Sequence, residues 1–199
     1  AFPITIICTA TALLLGIGSA SNFNLSSGAG EQECACRYAG TGLAMLMLCG
    51  VTIAVVVLLF LDSLLHVFGV TQDYTGITAF GIPFLILTTG GNHLIRADRS
   101  PTYSMTCMLT GAIINTILDP LFIFGFHWGM KGAAWATVIG QIVSGCLVIV
   151  YFVRFKKMGL TAEMIKPRGM YIKGILTLGM ASCINQIAMA IVQTVLNNT

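Results

Sequence analysis

Asp119 is the residue of this chain whose chemistry most needs explaining. It stands in "NTILDP" at 115–120, inside a stretch that is otherwise apolar from Met105 to Phe126. A carboxylate in lipid costs about 2.5–3.5 kcal/mol on insertion scales, so a helix that keeps one there must set something against it. Asn115 lies four residues earlier and shares the same helix face. Pro120 lacks the N–H that would bond the carbonyl of Thr116, which loosens the helix at that point. An acid, an amide and a freed carbonyl at one spot form an oxygen cage suited to a small cation or a proton. The next apolar run supplies Thr137 and, one turn further, Gln141, from a neighbouring antiparallel helix. The alternative is that Asp119-Pro120 ends the helix with its carboxylate in water. Against it, "LFIFGF" stays apolar for more than another turn.

Other polar residues carry less. His66 and His127 fall in or beside loops, where a solvated role suffices, and Asn92-His93 reads as an interfacial anchor near the inner end of the third long run. Met105 and Met108 are ordinary packing residues, although flexible thioethers also suit an adaptable apolar cavity. The seven cysteines are odd in number and mostly inside apolar runs, and Cys34-Ala-Cys36 has no second pair or nearby histidines to complete a zinc site. "GIGSAS" at 16–21 lacks both a following Gly-Lys-Ser/Thr and a Gly-x-Ser-x-Gly spacing. No paired intramembrane aspartates or Ser–His dyad point to a hydrolase, so the expectation is a protein that is not an enzyme and has no cofactor beyond a coupling ion.

The elements that must hold these residues are membrane helices. Hydrophobic residues make up 56% of the 199-residue chain and charged ones 9%, with a mean hydropathy of +0.90. Soluble domains carry about 25% charged residues, so this chain could not clothe a water-facing surface; a nucleic-acid groove, with basic and aromatic residues alternating, is likewise excluded. Windows long enough to cross the hydrocarbon recur six times, at about 3–23, 40–65, 74–95, 101–126, 130–155 and 171–196. Turn signals separate them: 26–33, 68–73, 96–101 and 125–132, and a longer basic segment at 154–173. Six spans place nine of the ten Lys and Arg on one side, Lys131 alone on the other, and the positive-inside rule makes that side cytoplasmic. Pro101 after Ser100 suits a helix start, and Gly28 and Gly30 suit a left-handed cap. The chain opens "AFPITIICTA" and stops at "VQTVLNNT", which reads as a piece of a longer protein.

Together, Asn92-x-x-x-Arg96-Ala97, Asn115-x-x-x-Asp119-Pro120, "GMKGAAWAT" at 129–137 and the loop "SSGAGEQECA" at 26–35 resemble the multidrug and toxic compound extrusion (MATE) transporters, in their prokaryotic DNA-damage-inducible-F-like branch. The resemblance runs over essentially the whole chain. It implies an all-α polytopic membrane protein with two six-helix lobes, of which this chain holds six transmembrane helices. Residues 1–155 correspond to helices two to six of the N-terminal lobe, 156–170 to a cytoplasmic inter-lobe linker, and 171–199 to the first helix of the C-terminal lobe. It also implies a cation site at Asp119, Asn115 and Thr137, completed by an acid on a first helix outside this chain, and a substrate cavity lined by Asn92, Met108 and Gln141. Na⁺ or H⁺ would be the coupling ion, with Na⁺ at Asp119 if a metal binds. The expected function is cation-coupled antiport of amphipathic or cationic drug-like compounds by alternating access. The expected setting is the inner plasma membrane of a prokaryote, where the partners are the lipid bilayer and the rest of the same chain. A lipid-linked oligosaccharide flippase of the same superfamily and a non-functional fragment stay open as alternatives.

Overall fold

The structure, a computed structural model, describes residues 2–60, 72–154 and 169–197. Asp62, His66, Lys156, Lys157, Glu163, Lys166 and Arg168, and with them the linker at 156–168, lie outside the described residues. Six helices follow one another: α1 (Phe2–Gly28), α2 (Gln32–Leu59), α3 (Gln72–Ala97), α4 (Pro101–Pro120), α5 (Met130–Arg154) and α6 (Gly169–Asn197). One π-helical turn, Leu121–Gly125, extends α4.

The expected first loop at 26–33 shrinks to Ala29–Glu31, because Ser26, Ser27 and Gly28 complete the last turn of α1. Gly30, at φ 83°, lets that turn close. Its N–H bonds the carbonyl of Ser27 at 3.2 Å and that of Glu31 bonds Ser26 at 3.0 Å, a Schellman motif. The turn between α3 and α4 repeats it with a different residue. Arg99 takes the left-handed position at φ 56°, bonding the carbonyl of Arg96 at 3.1 Å while Ser100 bonds Ile95 at 3.2 Å. Pro101 then opens α4, where a missing N–H does no harm.

α3 sits at the centre, packed on α1, α2 and α5 and more lightly on α4, while α6 runs along α1. The α1–α6 approach is backbone to backbone: a Cβ on Gly18 would strike the carbonyl of Ile175, and one on Gly179 that of Leu14. Among the described residues, five of the helices are long and apolar enough to cross a membrane, and α3 is not one of them. Its position accounts for this. A helix surrounded by other helices can carry Thr88, Thr89, Asn92 and His93 because protein, not lipid, faces them, and Asn92 is only 4% exposed. α4 faces outward instead, showing Met105, Leu109, Ile113 and Ile117 as one exposed apolar stripe.

One end of the bundle is tied by polar and aromatic contacts. Tyr151 donates to Asp98 at 2.6 Å, and the rings of Tyr38 and Tyr171 meet edge-on at 4.9 Å. Of the six described Lys and Arg, five (Arg37, Arg96, Arg99, Arg154 and Lys173) belong to this end, and Lys131 to the other. Among the described residues, the charge asymmetry read from the sequence is therefore carried by one physical face.

Candidate functional site

The register of α4 against α5 decides where Asp119 sits. Four contacts step along the antiparallel pair. Tyr103 donates to the carbonyl of Leu147 at 3.1 Å, and Ser144 to that of Cys107 at 2.8 Å. Gly111 and Gly140 then cross so closely that a Cβ on either would lie 2.9 Å from the other's carbonyl oxygen. Finally Asn115 meets Thr137 at 3.3 Å. Each step is one turn of both helices, so the small residues at 111, 140 and 144 bring the polar groups at 115 and 137 into reach.

At that end the three residues expected to act together are neighbours. The Asn115 amide lies between Asp119 and Thr137. In the orientation that satisfies both halves, Nδ2 donates to Asp119 Oδ2 at 3.3 Å, and Oδ1 accepts from Thr137 N at 3.2 Å and from its Oγ1 at 3.3 Å. The Thr137 hydroxyl also lies 2.9 Å from the carbonyl of Ala133, one turn back on α5. The second oxygen of Asp119, Oδ1, is buried and has no hydrogen-bond partner among the described residues. A buried carboxylate oxygen without a donor is costly unless a proton or a cation meets it. The unmatched group is a carboxylate oxygen, a hard ligand that fits H⁺ or Na⁺. Immediately beyond, Pro120 is followed by the π-helical turn, closed by Phe126 N–H on the carbonyl of Leu121 at 3.1 Å.

Next to this cluster, a groove of about 290 Å³ opens between α3, α4 and α5. Asn115 and Thr137 form one wall, and Met108 and Gln141 lie along it with Leu85 and Thr88. Gln141 rests its amide oxygen against the backbone of α3, where a Cβ on Gly81 would collide with it. Asn92 is not among the lining residues. It is buried one layer behind, where its Oδ1 accepts from Ser104 Oγ at 3.0 Å. Ser104 in turn accepts from Arg96 Nε at 3.2 Å, and Arg96 reaches the sulfur of Met108 at 3.4 Å. Sequence reasoning missed Ser104 and Ser144, and named Arg96 only as part of a motif. The available signal was the stripe Ser104–Met108–Gly111–Asn115 on one face of α4.

Fold and site together define a polytopic helical membrane protein with a half-buried acid inside the bundle beside a mostly apolar groove. Comparison with known proteins makes the class specific. The family model described as MatE matches residues 1–121, and the chain belongs to that family. It is 31% identical over 156 residues to the multidrug export protein MepA of Staphylococcus haemolyticus (strain JCSC1435), covering 74% of this chain and 34% of that protein. A MepA of Staphylococcus aureus (strain MSSA476) is 30% identical over the same length, with 35% of that protein covered. An outward-facing structure of a multidrug resistance MATE family transporter of the MOP superfamily superposes with a TM-score of 0.89 at 27% identity, over 99% of this chain and 46% of that one. The inward-facing counterpart gives 0.85 at 28% identity, over 96% and 45%. The chain thus spans about a third of the curated relatives it matches, and under half of those structures.

Proposed function

We propose that this chain is part of a cation-coupled exporter of amphipathic compounds in a prokaryotic inner membrane, with Na⁺ or H⁺ exchanged at Asp119. The observation that carries the reading is the buried Oδ1 of Asp119, without a hydrogen-bond partner among the described residues, beside the Asn115 amide that reaches the other carboxylate oxygen at 3.3 Å. The relatives named as multidrug export proteins support the substrate class.

The chemistry follows from what each atom can do. An ionised Asp119 accepts, so it draws the NH₂ of Asn115. A protonated Asp119 donates, and a bound Na⁺ needs oxygens; both favour the carbonyl face of the amide. The two faces are nearly isosteric, so occupancy at Asp119 decides which is turned inward. That rotation changes the bond to Thr137 on α5, and both residues line the groove. Ion and substrate then act on one wall. For exchange, the two ligands must favour opposite conformations of the bundle, with Pro120 and the π-helical turn as the place where α4 can bend. The test is drug export by cells making the gene product that carries this chain, with Asp119→Asn. Export is expected to be lost at unchanged protein level; undiminished export removes Asp119 from the mechanism.

A further inference from the structure

The inner mouth of the groove holds a cation that the exchange chemistry does not use. Arg96 is exposed, yet its guanidinium is tethered. A guanidinium can only donate, so Ser104 Oγ must accept from Nε at 3.2 Å. The single hydroxyl proton of Ser104 is then free for Asn92 Oδ1, at 3.0 Å. Ser104 is fully buried and Asn92 only 4% exposed, so the tether is anchored in the packed interior. The terminal NH₂ of Arg96 lies 3.4 Å from the sulfur of Met108, and Met108 lines the groove. Arg96 has no ion pair among the described residues. Asp98, two residues on, is turned to Tyr151 on α5. Arg37, by contrast, is paired to Glu33 at 2.9 Å.

We propose that Arg96 forms an anion subsite at the inner mouth of the groove. It takes the phosphate or carboxylate head of an amphipath whose apolar chain lies along Met108, Leu85 and Ala112. This deepens the reading of the groove as a substrate path and rests on it. The stripe on α4 from Ser104 to Asp119 spans fifteen residues, about 22 Å of helix. Arg96 stands next to the groove's Met108 end, and Asp119 next to its Asn115 end. An acidic headgroup enters where the charge favours it, while a cationic head is repelled at the same point. Basic sites between membrane helices on the cytoplasmic side are well suited to acidic headgroups, and a guanidinium held in place by a neighbour loses less entropy on binding than a free one. The anionic head belongs either to a membrane lipid or to a soluble acidic amphipath.

The test is binding to the purified gene product in a neutral detergent, with no ion gradient. The probes are dodecyl phosphate, dodecyltrimethylammonium and short-chain phosphatidylglycerol or phosphatidylcholine. Dodecyl phosphate is expected to bind, and Arg96→Gln to weaken it about tenfold or more, the loss of a charge-assisted pair of hydrogen bonds. Dodecyltrimethylammonium should bind Arg96→Gln at least as well as the parent. Should Arg96→Gln fold poorly, Ser104→Ala keeps the charge and removes the tether; a loss of severalfold for the phosphate alone supports the subsite. Phosphatidylglycerol that competes with dodecyl phosphate and is weakened by Arg96→Gln identifies a lipid head; dodecyl phosphate binding weakened by Arg96→Gln without competition from phosphatidylglycerol identifies a soluble ligand. Equal binding of the phosphate to parent, Arg96→Gln and Ser104→Ala overturns the proposal. Since no transport is measured, a failed export test at Asp119 leaves this result standing, and the reverse holds too.

Discussion

Asn115 places its amide 3.3 Å from the carboxylate of Asp119, one turn along the same helix, and the opposite face of that amide meets Thr137 on α5. The amide is thus the only described group that touches both the acid and the facing helix at this point. Asn115→Ala removes that link while leaving the acid in place. The expected result is a coupling-ion affinity weakened about tenfold, as for a hydrogen bond to a charged group. Ion-dependent export measured over a range of Na⁺ and of pH checks it.

Thr137→Ala should be milder than Asn115→Ala, and Thr137→Ser should restore the parent behaviour. The hydroxyl bonds the carbonyl of Ala133 at 2.9 Å as well as Asn115, so part of its role is local to α5. Ion affinity is the readout, and a Ser variant as weak as Ala would remove the hydroxyl from the account.

The α4–α5 crossing gives a prediction about packing. A methyl at Gly111 would collide with Ser144 Oγ and lie 2.9 Å from the Gly140 carbonyl oxygen. Gly111→Ala should destabilise the protein by about 1–3 kcal/mol, the range for overpacking. Adding Ser144→Ala should return part of that loss, although alone it forfeits the bond to Cys107 and about 1 kcal/mol. Thermal midpoints of the two single variants and the double in detergent test this coupling. Strict additivity would contradict the crossing geometry.

Much of this was legible in the residues, for identifiable reasons. Asp119 stands out because a charge in an apolar run has few explanations, and Asn115 follows from helical periodicity. Thr137 follows from antiparallel neighbours joined by a short loop. What could not be read depends on side-chain register within a hairpin and on where a helix stops. Ser104 looks like part of a helix start, yet it is the buried relay between Arg96 and Asn92. Ser26 and Ser27 have loop composition but complete α1, because Gly30 closes the turn three residues after Ser27. Asn92, an interfacial anchor by sequence and a cavity residue by resemblance, is buried behind the groove lining and bonded to Ser104 at 3.0 Å.

The two inner turns suggest a stabilising change. Arg99 occupies the left-handed position that Gly30 fills in the matching turn. A side chain there costs roughly 1–2 kcal/mol, so Arg99→Gly should raise stability by about 1 kcal/mol after the greater freedom of unfolded glycine is subtracted. A raised thermal midpoint is the expected result; a lowered one would mean that the Arg99 side chain contributes contacts exceeding the backbone cost.

The most direct measurement of the central claim is ion movement driven by substrate. The gene product that carries this chain is reconstituted into vesicles loaded with radioactive Na⁺ or a pH dye, and an amphipathic substrate is added outside. The account predicts that substrate entry drives Na⁺ or H⁺ out of the vesicles, and that Asp119→Asn abolishes this exchange while binding of the substrate persists. Ion movement in the Asp119→Asn protein at the parent rate would contradict it.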